Sequence, residues 1–183
     1  MLCFAARKVR KPVYDENPTY GPLVKLRRFG KNKKIIEVYK MRTMHPFSEY
    51  IQDYVLKHNG YAENGKPAGD FRLTSWGKFL RKYWLDESPQ LLNVLKGEMK
   101  IVGVRPLSKR FLEEYPEDVK ELRFKHKPGC FPPYVALLKQ EVSEYIESER
   151  TYLEEKIKHP YTTDIKYFSK SVYNILTNKI RSS

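Results

Sequence analysis

Two stretches, SEYIESERTYLEEKIK (143–158) and TTDIKYFSKSVYNIL (162–176), repeat their apolar residues at helical spacing and constrain the fold more than any other feature of the chain. A segment with that period cannot serve as a strand, so the later part of the protein must be helix packed through one face. The earlier part reads differently. LVKLRRFG (23–30) and IIEVYKM (35–41) are β-rich runs joined where Gly30 and Asn32 tolerate the backbone angles of a tight reversal, which predicts an antiparallel hairpin. The expected class is therefore α+β: a mainly helical single domain with a small antiparallel β element near the N-terminus, at residues 22–41, and a helical majority after Trp76. At 183 residues the chain can bury one core, and 40% apolar with 14% aromatic content is too rich for a disordered polymer. No internal repeat is visible.

Local signals divide the middle of the chain. HNGYAENGKPAG (58–69) is a polar loop longer than a simple connector, of the kind that often moves over a site. Thr74 or Ser75 caps a helix with Trp76, Phe79, Leu80 and Tyr83 on one face, leaving Lys78, Arg81 and Lys82 exposed or turned towards a ligand. Ser88 followed by Pro89 signals a second helix start, with the serine oxygen as cap, and Gly97 ends it. Ser108 opens a further region interrupted by Pro116.

Thirty-five Lys and Arg against 22 Asp and Glu give a net charge of +13, so the expected partner is anionic: nucleic acid, an acidic membrane surface or a phosphorylated substrate. No helix-turn-helix, zinc or aromatic-sheet signature accompanies that charge, which makes nucleic acid the least favoured of the three. Cys3 and Cys130 lie far apart without metal-ligand spacing, and they suggest a reducing compartment. No apolar run approaches the roughly 20 residues that cross a bilayer.

The stretch LDESPQLLNVLKGEMKIVGVRP (85–106) carries the chemistry. Asp86 and Glu87 precede a helix start, where the partial positive charge of the helix end stabilises carboxylates; helix capping alone is one reading. The other is phosphoryl transfer. Arg81, Lys82 and Arg105 flank the pair, and that reaction needs carboxylates to hold Mg²⁺ or attack phosphorus and cations to neutralise the phosphate oxygens. Lys40 and Arg42, at spacing i, i+2 in YKMRTM, either share a face and reach a phosphate or form a solvated strand edge. Arg105 is aimed by the stiff Gly-Val-Arg-Pro turn, and Arg81 and Lys82 are either phosphate ligands or exposed helix charges. His126 has no second histidine at ligand spacing and reads as exposed or phosphate-facing. Trp76 and the aromatics of the last helix read most simply as core, with a membrane interface as the alternative.

FRLTSWGKFLRKYWLDESPQLLNVLKGEMKIVGVRPL strongly resembles the signature of the bacterial sugar transferase family, the monotopic phosphoglycosyl transferases that act on polyprenol phosphate. The likeness extends to GPLVKLRRFGKNKKIIEVYKMRTM upstream and to FKHKPG and TDIKYFSKSVYNIL downstream, and so covers most of the chain from Tyr20 onward. It implies one catalytic domain, residues 1–183, in which Asp86 attacks the phosphate bearing the sugar of a nucleotide-diphosphate sugar and a covalent phosphosugar passes to undecaprenyl phosphate. On that likeness Glu87 supports the metal or takes the acceptor's proton, and Mg²⁺ bridges the diphosphate and the carboxylates, with Asp86 and Glu87 its protein ligands. Lys40, Arg42, Arg81 and Arg105 then bind substrate phosphate. The expected products feed exopolysaccharide, capsule, O-antigen or glycoconjugate assembly.

The resemblance has departures. Residues 1–19 stand where the family carries a hydrophobic re-entrant segment, so the expectation is a truncated or atypical member, or one anchored by a partner, held peripherally on the cytoplasmic face of the bacterial inner membrane through its basic surface. Ser88 replaces the usual leucine and Val104 the usual proline, neither of which removes a reacting group. CFPPYVALL (130–138) replaces a common Thr-Gly-Trp run, which leaves catalysis safer than specificity. A membrane- or partner-binding subunit with little activity of its own is the alternative reading.

Overall fold

The computed structural model describes residues 21–60, 69–139 and 141–182 and has the α+β architecture expected. The 1–19 segment, Cys3 and most of the 58–69 loop lie outside the described residues. Strands β1 (Leu23–Phe29) and β2 (Ile35–Met41) pair antiparallel, in register from Leu23 opposite Met41 to Phe29 opposite Ile35. Their connection passes through left-handed backbone at Asn32 (φ 56°) and Lys33 (φ 60°), the conformation that asparagine tolerates better than most residues. Alternation along β2 buries Ile36 and Val38 and exposes Ile35 and Glu37, and the buried pair packs on Met99 and Cys130.

The helices follow in order: α1 (Gln52–Asn59), α2 (Ser75–Lys82), α3 (Gln90–Leu95), α4 (Lys109–Glu113), α5 (Glu117–Phe124), α6 (Pro133–Leu137), α7 (Val142–Lys158) and α8 (Thr162–Leu176). Thr74 caps α2 by accepting from the Gly77 amide at 2.8 Å, and Ser108 caps α4. Gly77 is obligatory, because a Cβ there would lie 1.9 Å from the Thr43 carbonyl oxygen on which α2 sits. The two strongly periodic stretches are α7 and α8, and they close around α6, whose Tyr134, Val135 and Ala136 are buried. Asn174 on α8 donates to the Val135 and Ala136 carbonyls at 2.9 and 3.1 Å, satisfying orphan acceptors at the end of α6.

A second pair of strands, β3 (Lys100–Val102) and β4 (Gly129–Phe131), was not expected from the sequence. They run parallel and so close that a Cβ on Gly129 would stand 2.0 Å from the Gly103 nitrogen. Three residues per strand are too few to show a period.

Two readings need correction. Ser88 does not cap α3: its hydroxyl donates back to the Leu85 carbonyl at 2.7 Å, closing a 3-10 turn (Leu85–Glu87), and Pro89 stands at the N-cap. Trp76 is not core but 61% exposed, stacked at 5.3 Å on Phe79, which meets Tyr83 at 5.2 Å. Of the last helix's aromatics, Tyr167 is core whereas Phe168 and Tyr173 are exposed.

Asn93 ties α3 to the hairpin. Wholly buried, it accepts from the Tyr39 amide at 3.1 Å and donates to the Glu37 carbonyl and the Glu98 carboxylate, each at 2.7 Å. Asn93→Ala therefore strands several buried partners and should cost about 3 kcal/mol of stability, read as a lower urea midpoint at unchanged slope. An unchanged midpoint would show that the hairpin docks by its apolar face alone.

Candidate active site

The site forms where β2, the 3-10 turn and the turn after β3 meet. Trp84 enters the 3-10 turn in left-handed backbone (φ 59°), and the turn then presents Asp86 and Glu87 to Lys40 at the end of β2. Lys40 Nζ lies 3.1 Å from Asp86 Oδ2 and 2.7 Å from Glu87 Oε1, so one ammonium sits between two carboxylates contributed by adjacent residues. Asp86 has no exposed surface, whereas Glu87 lines a cleft. The Ser182 hydroxyl, 2.6 and 2.7 Å from the two Asp86 oxygens, donates to that carboxylate from the far end of the described chain. Burial of Ile180 against Trp84, Tyr134 and Tyr145, and a 3.0 Å bond from the Ser182 amide to the Arg81 carbonyl, hold this tail in place.

The cleft encloses about 140 Å³, room for a phosphate-sized group, and its wall includes Arg28, Lys40, Glu87, Gln90, Arg105 and Cys130. Arg105 is aimed from both sides of its peptide. Its amide donates to Glu149 Oε1 at 2.9 Å, while its carbonyl accepts from Arg123, and Glu149 and Arg123 are buried 3.5 Å apart. Burial pushes the Glu149 carboxyl up, with Arg123 opposing. The Arg105 guanidinium lies over the rings of Tyr134 (5.4 Å), Tyr145 (5.8 Å) and Phe111 (6.0 Å). Arg28 is pulled below the usual arginine range by burial and then by Arg105, with Glu87 opposing. Two guanidinium groups sharing a cleft repel one another, and an anion between them relieves that repulsion. Burial raises the Cys130 thiol to about 12, so no thiolate is available there at neutral pH.

Of the residues chosen from the sequence, Lys40, Asp86, Glu87 and Arg105 come together. Arg42 and Arg81 are not among the cleft-lining residues. Arg42 donates from Nε to the Gly21 carbonyl at 2.7 Å, just beyond the strand whose alternation was to aim it. Arg81 donates to the Thr43 hydroxyl at 3.0 Å behind the pair, within electrostatic reach of Asp86 and Glu87, and burial lowers its pKa. Lys82 lies 5.2 Å over the Tyr83 ring. His126 is half-buried outside the cleft lining, and burial and then Lys100 and Lys31 keep it below the usual histidine range.

Sequence reasoning missed Arg28 and Ser182. Arg28 had a signal: with the hairpin in register, the period of two puts Leu26 and Arg28 on the face of Val38 and Lys40. Ser182 had none, since its contact with Asp86 spans 96 residues.

The α+β domain thus sets Glu87, Arg28, Lys40 and Arg105 on the wall of one cleft, with Asp86 buried behind Lys40. The chain belongs to the bacterial sugar transferase family, whose model matches residues 15–178. It is 41% identical over 103 residues to the galactosyl transferase CpsE of Streptococcus agalactiae serotype III, covering 56% of this chain and 23% of that protein. It is 39% identical over 107 residues to the undecaprenyl-phosphate galactose phosphotransferase of Salmonella typhimurium, covering 56% and 22%. The exopolysaccharide production protein ExoY of Sinorhizobium fredii is 39% identical over 108 residues, covering 56% of this chain and 47% of its own. The matched stretch thus spans less than half the length of each of these relatives.

Proposed function

We propose that this chain transfers a sugar-1-phosphate from a nucleotide-diphosphate sugar to a polyprenol phosphate. The observation that carries the reading is the convergence of Asp86, Glu87 and Lys40 beside a cleft walled by Arg28 and Arg105. In the first step an Asp86 oxygen attacks the phosphorus bearing the sugar, that phosphorus loses its bond to the bridging oxygen, and the nucleoside monophosphate leaves with the electron pair. In the second, an oxygen of the polyprenol phosphate attacks the same phosphorus and expels Asp86 as a carboxylate. The product is a polyprenyl diphosphate sugar.

Each residue has a task that its position allows. Asp86 is wholly buried with its oxygens engaged, so the attacking oxygen must first be released by Ser182 or Lys40. Arg28, Lys40 and Arg105 neutralise the charge that gathers on the transferring phosphate, while Arg81 adds positive potential behind the pair. Glu87, exposed to the cleft, takes the acceptor phosphate's proton when that group arrives singly charged. The same carboxylates suit Mg²⁺. They converge on one point, where the Lys40 ammonium stands in for a cation, and Mg²⁺ is commonly held by one or two carboxylates together with substrate phosphates. When bound, the ion polarises the phosphoryl oxygens and shields their charge.

Among the described residues no helix is long and apolar enough to cross a membrane. The exposed ladder of Trp76 and Phe79 on α2 and Tyr83 at its C-terminal end, with Lys78 and Lys82 on the same helix, suits a peripheral seat at an acidic bilayer surface. The reading is tested by incubating the protein with Mg²⁺, polyprenol phosphate and a panel of uridine-diphosphate sugars. Release of uridine monophosphate with a matching sugar-lipid product is expected from at least one donor. No nucleoside monophosphate from any donor, including donors built on other bases, would refute it.

A further inference from the structure

An apolar groove of about 580 Å³ opens beside the cleft, between α3, β3 and α8, lined chiefly by Tyr83, Leu91, Ile101, Phe168, Val172 and Leu176. Several of these side chains are exposed, Leu91 by 51% and Leu176 by 70%, in a concave arrangement; contiguous apolar surface of this kind marks a binding site more often than chance exposure. The groove and the cationic cleft share two lining residues, Trp84 and Glu87. Trp84 is 7% exposed, and among the described residues its buried indole N–H has no hydrogen-bond partner. A buried donor in that state costs free energy unless a ligand oxygen accepts from it.

We propose that the groove holds the first isoprenoid units of the polyprenyl phosphate acceptor, whose phosphate lies at the junction with the cleft. This deepens the transferase reading and rests on it for the acceptor's identity. Two-ended chemistry singles out this occupant: an apolar trough running into a cleft walled by Arg28, Lys40 and Arg105 matches a ligand with an anionic head and a hydrocarbon tail. A nucleotide sugar, polar throughout, has no use for the trough, and a free phosphate needs only the cleft. The Trp84 N–H at the junction then donates to a phosphate oxygen of the acceptor, and the groove fixes how deep that phosphate sits relative to Asp86.

The test is binding of a prenyl phosphate series, from one isoprene unit to a long chain, to the full protein in detergent, followed by tryptophan fluorescence. The variants are Leu91→Gln with Leu176→Gln, both at exposed positions that leave folding intact, and Val172→Trp, which fills the groove. The unmodified protein should tighten as the chain lengthens, because each buried methylene adds apolar contact, and both variants should lose about tenfold or more of the long-chain affinity. The one-unit phosphate should bind all forms alike. Vesicles of phosphatidylcholine with and without phosphatidylglycerol supply the other arm. If the variants lose vesicle binding but keep the chain-length dependence, the face merely touches the bilayer and the proposal is overturned. Chain-length dependence equal in all forms overturns it as well. Nucleotide release from the donor alone is followed in parallel: groove-dependent binding without any release would sink the transferase reading and leave the groove standing, whereas release with groove-independent binding does the reverse.

Discussion

Replacing Asp86 by asparagine is expected to leave a folded protein that no longer transfers sugar phosphate. Asparagine keeps the size and one acceptor oxygen for the Ser182 hydroxyl, and Lys40 keeps Glu87 at 2.7 Å, so the site loses one charge without losing its frame. The stability change should be on the order of 1–2 kcal/mol, the scale of one altered buried hydrogen bond. The rate change is of another size, because an amide oxygen cannot form the covalent intermediate; loss of a nucleophile of this kind removes about four orders of magnitude or more. If the pair merely stabilised the turn, Asp86→Asn would cost similar stability and leave turnover largely intact. Steady-state transfer measured beside thermal unfolding separates the two.

Lys40→Met is the second large effect, and it should act on both stability and rate. Methionine retains the apolar stem and removes the ammonium, leaving Asp86, with no exposed surface, beside Glu87 without the charge between them. Breaking such an arrangement from one side costs on the order of 3 kcal/mol, more than the pair contributes net, because the remaining charges stay desolvated. Transfer should fall by about a hundredfold or more through lost positioning and lost neutralisation of the phosphate. Lys40→Arg should recover most of the stability and only part of the rate, since a planar fork cannot occupy the same point between two oxygens. Urea unfolding and single-turnover nucleotide release read the two quantities separately. A Lys40→Met protein as stable and as fast as the parent would mean that the 2.7 and 3.1 Å contacts carry no energy.

The parts of this architecture legible in the sequence are those set by local rules. The period of α7 and α8, the β-rich runs of β1 and β2 and a cap at Thr74 or Ser75 were readable because each rests on residues within a few positions of one another. Ser88 shows the limit of such rules: serine before proline is a start signal, yet the preceding 3-10 turn offered its hydroxyl the Leu85 carbonyl first. Trp76 shows another, since a large aromatic on a helix face is core only if something packs over it. At the candidate site, Asp86, Glu87, Lys40 and Arg105 were singled out through their chemistry and the family likeness, whereas placing Arg28 beside them needed the hairpin register and placing Ser182 the whole tertiary fold. Arg42 misled because the strand's alternation ends at Met41, after which the backbone turns its guanidinium to Gly21. Glu149 and Arg123, which hold the Arg105 peptide, lie on helices distant in sequence and carried no local sign of that work.

In the proposed reaction Asp86 becomes covalently bonded to the phosphosugar. That bond is tested most directly by exposing the protein to a nucleotide sugar and Mg²⁺ with no acceptor, quenching, and mapping the modified peptide by mass spectrometry. The expected result is a phosphosugar on Asp86, absent from Asp86→Asn and discharged when polyprenol phosphate is added. An adduct on any other residue, or steady transfer with no adduct at any time, would contradict it.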